Sequence, residues 1–264
     1  MVRRMGLRVC VLGSSSAGNS VYVGSGSTHV LVDAGFSARE TERRLKSIGV
    51  AAESIGGICV SHEHADHTAG LAVLHRRRGV PVYANAATAE ALSRSPTCVD
   101  LPWRIFTTGA AFEIGDLRIE PFSVPHDAYD PVGFVIANGA VRVGIATDIG
   151  MATTLILERL RHCQAVVLES NHDEFMLQSS PRPWSLKQRI ASRHGHLSNR
   201  HAAEVIRGIC GPHLRHVFLA HLSRECNEVD LALRAALEGL EAVNARHIHL
   251  APTYPDRVSE IWAG

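Results

Sequence analysis

Short apolar runs bounded by glycine and serine dominate the first quarter of the chain. Residues 7–12, 20–23 and 29–33 each carry a strand-length apolar run, and Gly13-Ser14-Ser15-Ser16 breaks the first from the second like a turn. The pattern then shifts to a helical one. Ser37 with Glu40 three residues on is a capping-box signature, and the helix it opens runs to Ile48 before Gly49. A further strand over 57–61 and a helix over 68–78, closed by Gly79, complete the first half.

The second half repeats this order more loosely. Strands are expected over 80–84, 105–107, 117–124, 133–137, 141–147, 165–169, 216–221 and 247–251, and helices over 153–161, 186–193, 198–210 and 228–240. A β-rich segment followed by alternating strand and helix, occurring twice, predicts an α/β (α+β) chain of two facing sheets with helices outside. No linker, low-complexity tract or short repeat divides the chain, so one domain over residues 1–264 is expected.

Composition narrows the class. With 264 residues and 45% hydrophobic side chains the chain can bury a large core, and a formal net charge of +1 means that attraction to a polyanion must come from a local patch. The six cysteines form no C-x-x-C pair and sit in apolar surroundings, which reads as buried thiols in a reducing compartment. Arg3 and Arg4 have no long apolar stretch behind them, and no run approaches the roughly 20 residues of a spanning helix. A soluble, cytoplasmic protein with no membrane association and no obligate protein partner is therefore expected.

Histidine is the outlier, with 16 copies. Three of them, with an aspartate, crowd into the six residues His62-Glu63-His64-Ala65-Asp66-His67 at the end of a strand. A solvated polar loop seldom concentrates so many metal-ligating side chains, and their spacing points to two divalent cations. Glu63 reads as a solvated loop residue. Asp33, His126, Asp148 and His221 each close an apolar strand, where a rigid scaffold can bring distant positions together.

Asp33, the H-x-H-x-D-H run, His126, Asp148 and His221 stand in the order and spacing of the five motifs of the metallo-β-lactamase superfamily. Three further stretches, 12–19 (LGSSSAGN), 195–199 (GHLSN) and 221–227 (HLSRECN), resemble its YycJ/WalJ-type branch of metal-dependent exonucleases, and the match spans nearly the whole chain. This resemblance implies an αββα sandwich with a dinuclear site on one edge. His62, His64 and His126 would hold one metal and Asp66, His67 and His221 the other, with Asp148 bridging and Asp33 supporting a ligand from behind. It further implies 5′-to-3′ hydrolysis of DNA by a bridging hydroxide, with Asp66 and Asp148 as catalytic residues and Zn²⁺ or Mn²⁺ as cofactor. One departure is the stretch 250–255 (LAPTYP), which lacks an arginine after its first proline.

Other residues carry two readings each. His196 is either part of a helix start capped by Ser198 or a phosphate contact and general acid to the leaving oxygen. His172 falls in a loop after a strand, behind the site or on its substrate side. Ser15, Asn19, Ser198, Asn199 and Ser223 lie in the branch motifs and are expected to meet substrate. From Phe175 to Ala203 there is no acidic residue while Arg182, Lys187, Arg189, Arg193 and Arg200 surround Trp184. Such a run is either a solvated basic face or a groove for a nucleic-acid backbone, with Arg189 and Arg193 as contacts. The competing activity is hydrolysis of a small ester, thioester or lactone, including weak turnover of a β-lactam, because loops and not the metal motif select the substrate.

Overall fold

The computed structural model describes residues 6–264; Arg3 and Arg4 lie outside that range. Two seven-stranded sheets face each other. The first is built from β1 Arg8–Ser15, β2 Gly18–Gly24, β3 His29–Val32, β4 Ile55–Cys59, β5 Val82–Asn85, β6 Trp103–Phe106 and β14 Trp262–Ala263, in the order β14-β1-β2-β3-β4-β5-β6. The second is built from β7 Phe112–Ile114, β8 Leu117–Ser123, β9 Val132–Asn138, β10 Val141–Ala146, β11 Ala165–Glu169, β12 His216–Ala220 and β13 His249–Pro252, in the order β13-β12-β11-β10-β9-β8-β7. Each sheet joins an antiparallel part to a parallel one, so the two halves of the chain repeat one plan.

Side-chain alternation along the strands builds three cores. Val9, Val11, Val30, Phe134, Val167 and Phe218 meet between the sheets. Their neighbours Cys10, Leu12, Leu31 and Ile58 point outward onto α1 (Ala38–Ser47), α3 (Leu71–Arg78) and α4 (Ala86–Ser93). On the other face Val166, Leu168, Val217 and Leu219 pack on α5 (Thr154–Leu160), α8 (Asn199–Ile209) and α9 (Val229–Glu241). The expected sandwich, two sheets inside and helices outside, is the fold. Short helices α2 (Ala65–Thr68), α6 (Glu174–Ser179) and α7 (Trp184–Ile190) lie in the loops.

Several local expectations change. The Gly/Ser stretch after residue 12 is not a turn: β1 continues to Ser15 through an irregularity in its pairing with β2, and the reversal is the two residues Ser16-Ala17. Asn19 makes this possible by capturing the Ser14 hydroxyl and the Ser15 amide. The helix expected over 68–78 is α3, which begins only at Leu71: Thr68 closes the short α2, and Gly70 between them lies against the Phe36 carbonyl. Ser37 caps α1 through the Glu40 amide, but the Glu40 carboxylate turns to Arg43 and Arg44, so no reciprocal box forms. Helices α4 and α6 and strands β7 and β14 had no strong periodic signal, being three to eight residues long or only two.

Among the described residues no helix is long and apolar enough to cross a membrane. The inter-sheet core carries the stability of this arrangement. Phe134 is fully buried there and meets Phe106 edge to face. Phe134→Ala is expected to cost about 3–5 kcal/mol in denaturant unfolding, and a loss under about 1 kcal/mol would show that the sheets do not depend on that contact.

Candidate metal centre

One end of the sandwich gathers the polar strand ends. Asp33 follows β3, His62 lies beyond β4, His126 beyond β8, Asp148 beyond β10, and His221 follows β12. Three of these residues, Asp33, Asp148 and His221, hold left-handed backbone angles with φ of 64°, 57° and 56°. Such conformations are uncommon outside glycine and persist only where surrounding contacts impose them. They turn the chain out of the strand and aim the side chain over the sheet edge.

The seven expected ligands come together. His62, His64 and His126 place one ring nitrogen each within 4.8 Å of one another, and His62, His67 and Asp148 form an adjoining group. Asp148 lies 3.1 Å from His67, 3.5 Å from His221 and 3.9 Å from His126, in the middle of both sets. The Asp66 carboxylate is 3.5 Å from His67 Nε2 and 3.7 Å from His221 Nε2.

The imidazoles are oriented from behind. His67 Nδ1 meets Asp33 at 2.7 Å, His221 Nδ1 meets Glu169 at 2.9 Å, His126 Nδ1 meets the Gly195 carbonyl at 3.1 Å, and His62 Nδ1 meets the Ser61 hydroxyl at 2.9 Å. Each pairing leaves Nε2 facing the centre, while His64 turns Nδ1 toward His126. His62 Nε2, His221 Nε2 and Asp148 Oδ2 are buried without a hydrogen-bond partner. Acceptors converging in a buried space repel one another unless a cation lies between them. The donor set therefore fits a divalent metal, and imidazole with carboxylate favours a transition-type ion over calcium.

Electrostatics point the same way. Burial pushes the His62 and His126 rings toward the neutral form that coordinates metal. Burial also opposes charge on His221, yet Asp148, Asp66 and Glu169 outweigh it and raise that ring to about 10. The carboxylates demand positive charge here, whether carried by protons or by a metal that displaces them.

Asp33 holds the Ser61 amide and hydroxyl, at 2.7 Å each, as well as His67, and so fixes the start of the histidine loop. Asn19 reaches the Asp66 carboxylate at 3.1 Å, and Ser14 accepts from the His221 amide at 2.9 Å. The 12–19 motif thus ties both sheets' contributions together from a buried position. Gly35 is required beside it, since a Cβ there would collide with the Asp66 carbonyl and crowd the Asn19 amide.

Glu169 was not anticipated. It ends β11, is fully buried, and accepts from the Ile149 and Leu197 amides as well as from His196 and His221. The only hint was its place at a strand end between two histidine motifs. Burial pushes its carboxyl up, but the His196 charge and then hydrogen bonds with His196 and His221 outweigh it and hold the group down to about 2. Glu63 is not idle either: its carboxylate accepts from the Tyr129 amide and anchors the loop after His126.

A cavity of about 230 Å³ opens beside the centre, lined by Asp127, Asn171, Arg182, Arg189, His196 and Ser223 among others. Of the expected substrate contacts, Arg189 and Ser223 reach this wall, and Ser15 lines a shallower depression beyond Arg182. Asn19, Ser198 and Asn199 are buried and engaged internally, Ser198 with Glu174 and His201, Asn199 with Ser170 and Asn227. Arg193 is exposed but lines neither depression. His172 is buried behind Glu169's strand, its carbonyl holding the Asn199 amide. Two arginines meet the 250–255 stretch: Arg44 donates to the Pro255 carbonyl at 2.8 Å and Arg257 stacks on Tyr254.

Two facing mixed sheets with a histidine and aspartate centre on one edge define the metallo-β-lactamase fold. A family model described as beta-lactamase superfamily domain matches residues 28–222. The chain is 37% identical to exodeoxyribonuclease YycJ of Bacillus anthracis over 238 residues, 90% of each protein. It is 35% identical to exodeoxyribonuclease WalJ of Streptococcus pneumoniae serotype 2 over 231 residues, 86% of each. The metallo-β-lactamase fold protein YhfI of Bacillus subtilis superimposes with a TM-score of 0.74 at 16% identity, covering 99% of this chain and all of that one. The chain belongs to the β-lactamase superfamily, in the family of the YycJ and WalJ proteins.

Asp33→Asn keeps a residue type that tolerates the left-handed turn but removes the carboxylate behind His67. Metal affinity measured by calorimetry is expected to fall about 10–100-fold, and unchanged affinity would show that His67 needs no such support.

Proposed function

We propose that the chain works as a single metallo-β-lactamase-like unit, a metal-dependent exodeoxyribonuclease that removes nucleotides in the 5′-to-3′ direction. The observation that carries this reading is the continuity between the centre and the arginine-bearing cavity: His196 belongs to both. The relatives named exodeoxyribonuclease, matched over most of their length, support the choice of DNA. Two ions are proposed, Zn²⁺ or Mn²⁺, with His62, His64 and His126 holding one, Asp66, His67 and His221 the other, and Asp148 facing both.

A divalent pair supplies a strong nucleophile from water at neutral pH and neutralises charge that develops on the phosphoryl oxygens. The chain's own groups do the rest. Arg182 and Arg189 line the cavity, where a phosphodiester backbone would enter, and Arg189 is positioned by Asp127, itself beside His126. His196 Nδ1 contacts Glu169 at 2.8 Å, which turns Nε2 outward. Burial opposes a proton on this ring, but Glu169 outweighs it and raises the pKa above the ordinary value. His196 can thus carry a proton to the departing oxygen, and Glu169 keeps it there. Asn171 and Ser223 offer neutral hydrogen bonds on the same wall.

The test is to strip metal with a chelator, restore Mn²⁺ or Zn²⁺, and supply 5′-labelled single-stranded and duplex DNA, a lactone and a β-lactam in parallel. Release of the 5′ label on the first nucleotide, with no ladder of labelled intermediates, is expected, and it is abolished in a folded Asp148→Ala variant. Robust lactone turnover without phosphodiester cleavage would replace this reading by the small-ester one, and full DNA cleavage by Asp148→Ala would refute the site.

Reversing Arg189 and Arg193 together to glutamate probes the groove. DNA affinity should fall and the slope of log K against log salt should flatten by roughly 0.7 for each phosphate no longer neutralised on a single strand, measured by anisotropy titration. Equal slopes would show that this segment does not touch the backbone.

A further inference from the structure

The far end of the sandwich holds a second group of ligating side chains. His216 opens β12 and His249 opens β13, and the two are direct partners in the parallel register. Glu260 precedes β14 in the other sheet by two residues. The alternation that sends Phe218, Ala251 and Trp262 into the inter-sheet core places His216, His249 and Glu260 on that same face, one step nearer the rim. The Glu260 carboxylate crosses between the sheets to lie 2.7 Å from His249 Nε2 and 3.3 Å from His216 Nε2.

We propose that His216, His249 and Glu260 form a separate divalent-cation site of zinc type, which staples the C-terminal strand of one sheet to the other. The three ligand atoms lie within 4.8 Å of one another. His216 is only 5% exposed, and its Nε2, buried and without a well-formed hydrogen bond, is aimed at the carboxylate. Tetrahedral zinc with bonds of about 2.0–2.1 Å separates its ligands by roughly 3.3 Å. The His216–Glu260 spacing already has that value, while the His249–Glu260 contact would open by roughly 0.6 Å. Two imidazoles and one carboxylate supply three of the four positions of a tetrahedral zinc, and the fourth would be open to solvent at this partly exposed rim.

This site lies beyond the other end of β12 from His221, about 16 Å away at 3.3 Å per residue, and shares no residue with the catalytic centre. Its action is on cohesion. β14 is two residues long and pairs with β1, and the Leu7–Gly264 and Ser259–Val11 backbone bonds extend that pairing within the first sheet, with no strand of the second sheet beside it. A metal joining Glu260 to β12 and β13 would fasten that segment across the sandwich.

The whole chain is stripped of metal, dialysed against zinc and its bound metal counted by mass spectrometry, for the native sequence, His249→Ala and Glu260→Gln. Both altered side chains are half exposed or more, so folding is preserved. One zinc per chain fewer is expected in each variant, together with a smaller zinc-dependent rise in Tm, while DNA cleavage stays at the native rate. Equal zinc counts in all three proteins would overturn the site. A normal count with abolished cleavage would instead implicate these residues in catalysis and equally reject the staple. Failure of the nuclease reading leaves the zinc count unaffected, so the two proposals fall separately.

Discussion

Convergence of imidazole nitrogens and carboxylate oxygens in a buried volume is the constraint on which the rest of this structure depends. His62 Nε2, His221 Nε2 and Asp148 Oδ2 are buried without a well-formed hydrogen bond, among further ligating atoms. Leaving such groups desolvated and unpaired is costly, by about 1–3 kcal/mol for each neutral group and more for a charged one. Positive charge, from protons on the imidazoles or from a divalent cation that displaces them, offsets that cost. The β-sandwich is then a device for holding these atoms apart from water and close to one another.

Strain and support are distributed accordingly. The three left-handed residues Asp33, Asp148 and His221 sit where a strand must stop and turn its side chain across the edge. Two of them are visibly overdetermined by contacts: Asp33 by Ser61 and His67, His221 by Ser14, Asn171 and Glu169. Glu169 is the deepest of these supports, because one carboxylate receives two backbone amides and contacts two imidazoles. It links His221, read as a metal ligand, to His196, read as a proton carrier, so that the metal side and the leaving-group side are positioned by a single group.

Much of this was legible in the residues. Apolar runs of alternating exposure located most central strands, and the clustering of His62, His64, Asp66 and His67 located the loop that matters. Pairing each remaining strand end with a ligating side chain found His126, Asp148 and His221. What escaped has a common physical reason. Glu169, Ser61 and Asn171 act through geometry that exists only after β4, β11 and β12 are brought together, and a single carboxylate closing an apolar run looks like any solvated strand end. The 12–19 motif was visible but its task was not: Ser14 and Asn19 are struts between Asp66 and His221, buried where a surface contact was expected. Strand β14 and strand β7 escaped because two or three residues carry no period.

The two ends of the sandwich can then be compared on one physical basis. Parallel strands β3 to β6 and β10 to β13 deliver their carboxyl ends to the same edge, which is where irregular backbone and polar side chains accumulate. Such an edge binds ligand well because strand ends are rigid while the loops beyond them are free to vary. The opposite edge has no such requirement, so polar groups buried there need a different justification. His216 is a case in point: its imidazole, buried to 5% exposure, packs on the Phe218 ring and faces a carboxylate from the other sheet, a contact that packing alone does not require. Cohesion between sheets does account for it. One end of the fold concentrates ligands to do chemistry, and the other uses the same side-chain types to hold the last strand in place.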